Sequence, residues 1–320
     1  MSTASIIRLA VALAAAALAA PAAAQHTAVH TYSLRQTTTL GRLRPVPAAY
    51  GWPLKPFDRQ HPIRAFLDDP RIGREGGESF HFGIDVAAPD GTPVYAVAGG
   101  ILYLSHGSLA VVAAHGHVFG YWHVRAAAGL HHRQVVRLHQ LLGTVAPGWG
   151  HVHFAERSDG RYVNPLRPGA LGPYTDPIAP TVAALSVRSG ARGLDLVVQA
   201  HDTTWPPVPG PWANEPVTPA LLRWRVAPAG TWHVAADFTR RLLDRSRFGS
   251  VYAPETRQNH EGEPGEFAFF LTRGWRPADG TYRIEVQAAD TRGNRATATA
   301  VVTVEHGAVF LTGGADSASK

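Results

Sequence analysis

Short hydrophobic runs broken by Gly, Pro and Asp dominate the chain from Phe80 onward. The runs "TPVYAVAGG", "SLAVVAAHG", "HVFGYWHV", "LLGTVAP" and "HVHFAER" are of strand length and are spaced as in an all-β domain. No long stretch repeats its apolar positions with the 3.6-residue period of a helix. Towards the C-terminus, "YRIEVQA" and "TATAVVTV" alternate apolar and polar residues, which predicts strands with one buried face. Asp290–Asn294 between them is expected to turn a hairpin. "DLVVQAHDTT" (195–204) and "RIEVQAADTRGN" (283–294) echo one another, each ending a strand with Ala-x-Asp-Thr. Seven or so strands in roughly 125 residues suit a β-sandwich.

Other breaks in the pattern divide the chain further. Residues 25–60 are polar and proline-bearing, and "YGWPLKPFDRQHPI" predicts an extended N-terminal segment. The stretch "NPLRPGALGPYTDPIAP" (164–180) predicts a linker, with its core at 169–180. A first domain is expected over 61–168, a sandwich over 181–305 and a tail over 306–320. "MSTASIIRLAVALAAAALAAPAAA" (1–24) has one cation, a short apolar stretch and Ala22-Ala23-Ala24 before Gln25, the pattern of a cleaved export signal. Past that point, no run reaches the roughly 18 apolar residues of a spanning helix.

Composition narrows the chemistry. The 320 residues include no cysteine, which excludes disulfides, thiolate catalysis and Cys-bound zinc. Any metal must be held by His and carboxylate. A formal charge of +6 suits a polyanionic cell envelope without naming a partner, and no nucleic-acid partner is expected. Nine of the 17 histidines lie between 106 and 153 and only four follow residue 180, so histidine chemistry belongs to the first domain.

Two pairs stand out. "GWGHVHFAER" places His151 and His153 at i and i+2, on one face of a strand. "HFGID" spaces His81 and Asp85 by four, and Gly83, Ile84, Val86 and Pro89 argue for extended chain, where i and i+4 again point the same way. Converging from two strands of a small sheet, such pairs offer His, His and Asp with an open fourth position, the ligand set of a catalytic zinc site.

"HFGID", "GTPVYA", "YWHV", "HVHF" and "YVNP" stand in the order of the lysostaphin/LytM-type zinc endopeptidases, and the segment from about 60 to 168 resembles that M23 family. The resemblance implies a small antiparallel-sheet peptidase domain holding one zinc ion through His81, Asp85 and His153. It makes His123, from "YWHV", and His151 the catalytic histidines. In such sites the metal lowers the pKa of water towards ~7 and polarises the scissile carbonyl. One histidine then moves the proton while another hydrogen-bonds the oxyanion. The implied substrate is peptidoglycan, at stem peptides or crossbridges. The chain departs from the family in Val124, where Leu is usual, and in a shortened loop, "GTVAPGWGHVHF", that carries Trp149. His115, Tyr121 and Trp149 are expected along the groove. "GTYRIEVQAADTRGN" resembles the last hairpin of bacterial immunoglobulin-like domains, so the sandwich is expected to be Ig-like.

Rival readings are a catalytically inactive M23-like scaffold that binds wall or activates amidases, and a zinc carrier using segment 106–153. All five family residues stand, which argues against the first. Dispersal of the histidines among apolar strand residues argues against the second. His106 and His117 are expected at a strand turn, and His131, His132 and His139 in solvent. Trp205, Trp212, Trp224 and Trp232 are expected to pack in core or loops, with "WPPVPGPWANEP" (205–216) an exposed loop whose tryptophans can stack on ligands.

Overall fold

The computed structural model describes residues 30–41, 46–73, 77–190, 192–306 and 308–312. The export signal expected at 1–24 lies outside the described residues. Strands and their connections make up nearly all of the described chain, and every ladder between strands is antiparallel. The helix among the described residues is one four-residue turn, Phe248–Val251, joined by three short 3₁₀ turns.

The histidine-bearing unit is built on an eight-stranded sheet. Gly100–Ser105, Ser108–Val112, Val118–Trp122, His151–Ser158, Ile84–Ala87 and Ile63–Ala65 follow one another across it. Its apolar faces bury Ile84, Val86, Leu102, Val111, Tyr121, Val152 and Phe154. The short sheet of Val124–Ala126, Leu141–Val145 and Pro93–Tyr95 adds Val94, Leu142 and Val145 to the same core.

The second unit is a sandwich of two sheets. Thr181–Gly190, Gly193–Thr203 and Ala268–Trp275 form one; Leu221–Ala227, Gly280–Ala289 and Arg295–Glu305 form the other. Leu185, Leu196 and Phe269 from the first meet Leu222, Ile284 and Val302 from the second in a shared core. Arg295–Glu305 alternates buried and less buried residues along its length, as the period-2 pattern predicts. Asp290–Asn294 turns the expected hairpin, with Asp290 Oδ1 accepting from the backbone N–H of Arg292 and Asn294 at 2.7 and 2.9 Å.

Three boundaries differ from those expected. His30–Ser33 pairs with Thr181–Gly190 and Gln36–Thr39 with Arg295–Glu305, so the N-terminal segment supplies one strand to each sheet of the sandwich. The remainder of that segment joins the first core through Tyr50, Trp52 and Leu54. The proline-rich stretch is not a free spacer, because Leu166, Ala170, Leu171 and Tyr174 are buried in the first core. In the expected tail, Ala308–Thr312 adds a strand beside Arg295–Glu305.

The two units also share an interface. Phe80, one residue before His81, lies in the core of the sandwich beside Phe238, Phe248 and Tyr252. Asp68 and Asp69 are buried there. Asp69 Oδ1 accepts from Thr218 N at 2.7 Å, Asp68 Oδ1 from Leu243 N at 3.0 Å, and Tyr252 donates to Asp68 O at 2.7 Å. Buried polar groups that find partners across an interface make separation of its two sides costly.

Candidate metal centre

Strand register brings the predicted pairs together. His151–Ser158 runs antiparallel to Ile84–Ala87, with His153 opposite Asp85 and His151 opposite Ala87. On its other side His153 stands opposite Trp122 of Val118–Trp122, and His123 follows directly. His81 is on the connection between Gly77–Phe80 and Ile84–Ala87, not on the strand itself. Gly83 in that connection is required by space, since a Cβ there would meet Phe154 O at 2.4 Å and His153 Nε2 at 3.0 Å.

His81 Nε2, Asp85 Oδ1 and His153 Nδ1 converge in a buried cluster. His81 Nε2 is 2.7 Å from His153 Nδ1 and 3.1 Å from Asp85 Oδ1, and His153 Nδ1 is 3.0 Å from the same oxygen. His81 Nδ1 donates to Phe66 O at 2.8 Å, which leaves a lone pair on Nε2. Arg71 donates to Asp85 Oδ2 at 3.2 Å, leaving Oδ1 directed at the histidines. Three acceptor atoms therefore meet with at most one proton, on His153 Nδ1, to share among them. A cation bound between them satisfies all three, and two imidazoles with a carboxylate are the donor set zinc takes. The residues present fit the metal.

Electrostatics favour the ligand forms. Burial pushes His81 down to about 3. Burial also lowers His153, against the pull of Asp85. For Asp85, burial alone would raise the carboxyl, but His81, His151 and His153 outweigh it and hold it well below the usual range. Neutral imidazoles beside an ionised carboxylate are what metal binding requires.

His151 and His123 flank the cluster. His151 Nδ1 donates to Trp149 O at 2.7 Å, so its Nε2, 3.4 Å from Asp85 Oδ1, carries the lone pair. His123 has a left-handed backbone (φ 64°), held by hydrogen bonds from its N–H to Gly107 O and from Ala146 N to its own carbonyl. Its ring stacks on Trp149 at 3.5 Å between centroids and is 4.7 Å from His151. Burial, with His151 close by, pushes His123 down to about 4.

These groups line a groove of about 480 Å³. Trp149, 47% exposed, forms part of its wall. Tyr121 does not: it is fully buried in the first core, its hydroxyl accepting from Val97 N at 2.9 Å, because its strand turns that face inward. The side chain of His115 lies outside the described residues. His106, His131, His132 and His139 are exposed, and His117 pairs with Glu156 at 3.0 Å, away from the cluster.

Sequence reasoning missed the opposite wall. Trp212, Gln258 and Asn259 of the sandwich line the groove, and the Arg64 guanidinium lies 4.1 Å over the Trp212 ring. The proline- and tryptophan-rich loop was the available signal for Trp212; nothing local in the sequence marks Gln258, Asn259, Arg64 or Arg71. Gln258 also accepts from Ile72 N at 2.5 Å, which fixes this wall to the strand bearing Arg71.

No curated protein matches the chain. Among solved structures it is similar to a zinc-containing peptidase from Vibrio cholerae, at 21% identity and TM-score 0.32 over 40% of this chain and 41% of that one. It is also similar to Helicobacter pylori Csd3, at 20% identity and TM-score 0.31 over 41% and 37%. A third is described as a putative peptidase M23 from Pseudomonas aeruginosa, at 22% identity and TM-score 0.23 over 35% and 48%. The chain spans about two fifths of the length of the first two of these. Residues 79–165, which contain the three converging side chains and both flanking histidines, match the sequence profile of Peptidase family M23.

Proposed function

We propose that the protein is an exported zinc endopeptidase of the lysostaphin/LytM type that hydrolyses peptide bonds in peptidoglycan stems or crossbridges. The observation that carries this reading is the convergence of His81, Asp85 and His153 at the floor of a groove, with His151 and His123 beside them. When bound there, zinc supplies Lewis-acid polarisation of the scissile carbonyl and activation of a water.

The protein groups divide the remaining work. His151, its Nδ1–H fixed on Trp149 O, presents Nε2 as the base that takes a proton and returns it to the leaving amine. His123 is neutral at pH 7 and clamped by Trp149, so a ring N–H can donate to the developing oxyanion. Arg64 faces the groove beside Gly150, with Trp212 stacked against it and no hydrogen bond among the described residues. A half-buried guanidinium so placed suits a carboxylate of the substrate, such as those peptidoglycan stems carry. The sandwich, which we take as Ig-like, supplies a wall of the groove. No described helix is long and apolar enough to cross a membrane.

The test is digestion of purified peptidoglycan with and without a chelator, the released fragments identified by mass spectrometry. Chelator-sensitive release of fragments with new peptide termini is expected. Intact sacculi after prolonged incubation with zinc-loaded protein would refute the proposal.

A further inference from the structure

A second cluster of oxygen ligands lies at the junction of the two units, away from the histidines. Asp176 comes from the proline-rich stretch, Asp202 from the end of Gly193–Thr203, and Asp290 from the turn after Gly280–Ala289. One oxygen from each lies within 4.8 Å of one oxygen from both of the others. All three residues are buried, Asp202 to 1% exposure.

Their hydrogen bonds leave the cluster unsatisfied. Asp176 accepts from Ile178 N at 3.0 Å and, weakly, from Tyr174 Oη at 3.3 Å. Asp290 is held by the backbone and side chain of its own turn. Asp202 Oδ1 accepts from Thr203 N at 2.8 Å, but Asp202 Oδ2 is sealed from solvent with no partner at all. An orphaned buried carboxylate oxygen is a costly feature that calls for a partner such as an ion.

Charge gives the same answer. None of the three carboxylates has an ion-pair partner among the described residues. Arg292 stands nearby but donates to Leu166 O and lies 5.1 Å from the Tyr174 ring. Three carboxylates and one guanidinium leave a formal charge of −2, which one divalent cation neutralises. Beside them is a void of about 10 Å³ lined by Asp202 and Asp290, the space of about one water-sized sphere. Asp176 and Arg292 also line a cleft open to the surface, which provides access.

We propose that Asp176, Asp202 and Asp290 bind one calcium ion that pins the proline-rich stretch to both sheets of the sandwich. An all-oxygen donor set selects a hard cation over zinc. Magnesium demands near-ideal octahedral geometry and keeps several of its waters, for which a void of about one water-sized sphere leaves no room, whereas calcium accepts an irregular set of oxygens. Thr218 and Phe66 line the same void, so the ion would stiffen the seam that carries the groove wall.

The test uses zinc-loaded full-length protein freed of other divalent cations by gel filtration. Calorimetric titration with calcium chloride should give one site per chain, and thermal unfolding should shift up by about 5 °C at a hundredfold excess over Kd. The response should persist in Asp85→Ala, which removes the histidine cluster as the binding locus. Asp202→Asn should abolish it while being at least as stable as wild type without calcium, since it removes an unpaired buried charge. Asp176→Asn serves the same purpose if Asp202→Asn does not fold. Absence of heat and of any shift at about 10 mM calcium, above the weak end of extracellular calcium modules, would overturn the proposal. So would an equal response in Asp202→Asn, or a response to magnesium alone.

Discussion

Replacing Phe80 by alanine should weaken the union of the two units and disturb the metal centre together. Phe80 is 5% exposed and belongs to the core of the sandwich, although its strand leads straight into His81. Its ring is 5.3 Å from Phe248, 5.9 Å from Tyr252 and 6.4 Å from Phe238. Removing a buried Phe side chain costs about 3–5 kcal/mol from lost transfer energy and the cavity left behind. Neighbouring aromatic rings contribute about 0.5–1.5 kcal/mol each beyond buried area, which favours the upper half of that range. Urea unfolding followed by tryptophan fluorescence reads the loss. With a slope of about 3 kcal/mol/M, the midpoint should fall by about 1.3–1.7 M. The transition should also broaden or split, because the side chain that bridges the two cores is gone. A loss below about 1 kcal/mol with an unchanged slope would refute the claim that Phe80 couples the units.

Other substitutions separate the roles of single residues. His123→Ala should retain its metal and lose about 10²–10⁴ in kcat; loss of metal instead, measured by elemental analysis, would reassign it as a ligand. Trp212→Ala should raise KM for a soluble crossbridge peptide about three- to tenfold with kcat nearly unchanged, since it removes the support of Arg64. An unchanged KM would place the substrate away from this wall. Burial raises Asp69 to about 6, partly offset by Arg71 and by hydrogen bonds from Thr218 and Phe66. Between pH ~4 and 6 the folded chain holds a proton that the unfolded chain has released, so this contribution is full below pH ~4 and lost as pH rises through 6. Across that window the unfolding free energy of Asp69→Asn, from denaturant titrations, should decline by about 3 kcal/mol less than that of wild type; an identical decline would contradict it.

The convergence of His81, Asp85 and His153 was legible because it rests on local rules. Alternation along a strand places His151 and His153 on one side, and antiparallel pairing sets Asp85 opposite His153. The all-β architecture followed from the same alternation. Relations between distant segments were not legible. "QTTT" at Gln36–Thr39 is short and largely exposed, so nothing in it reports that it completes a sheet with residues 295–298. The prolines of 164–180 suggested a spacer, yet Leu166, Leu171 and Tyr174 between them supply apolar surface that packs into the first core. Tyr121 looked like a groove residue from its place two before His123, but Trp122, opposite His153, takes the groove face, and His123 follows the end of the strand with a left-handed backbone that breaks the alternation. Phe80 carried no sign that its partners lie more than 150 residues away. That long-range contact makes the sandwich part of the groove.

The central claim is that His81, Asp85 and His153 hold zinc. Its most direct test is the zinc content of purified Asp85→Ala against wild type, by elemental mass spectrometry after exhaustive dialysis. Wild type should carry one zinc per chain and Asp85→Ala less than about a tenth of that, since one of three ligands is lost and no cysteine is present to replace it. Full zinc occupancy in Asp85→Ala, with the fold intact, would contradict the account.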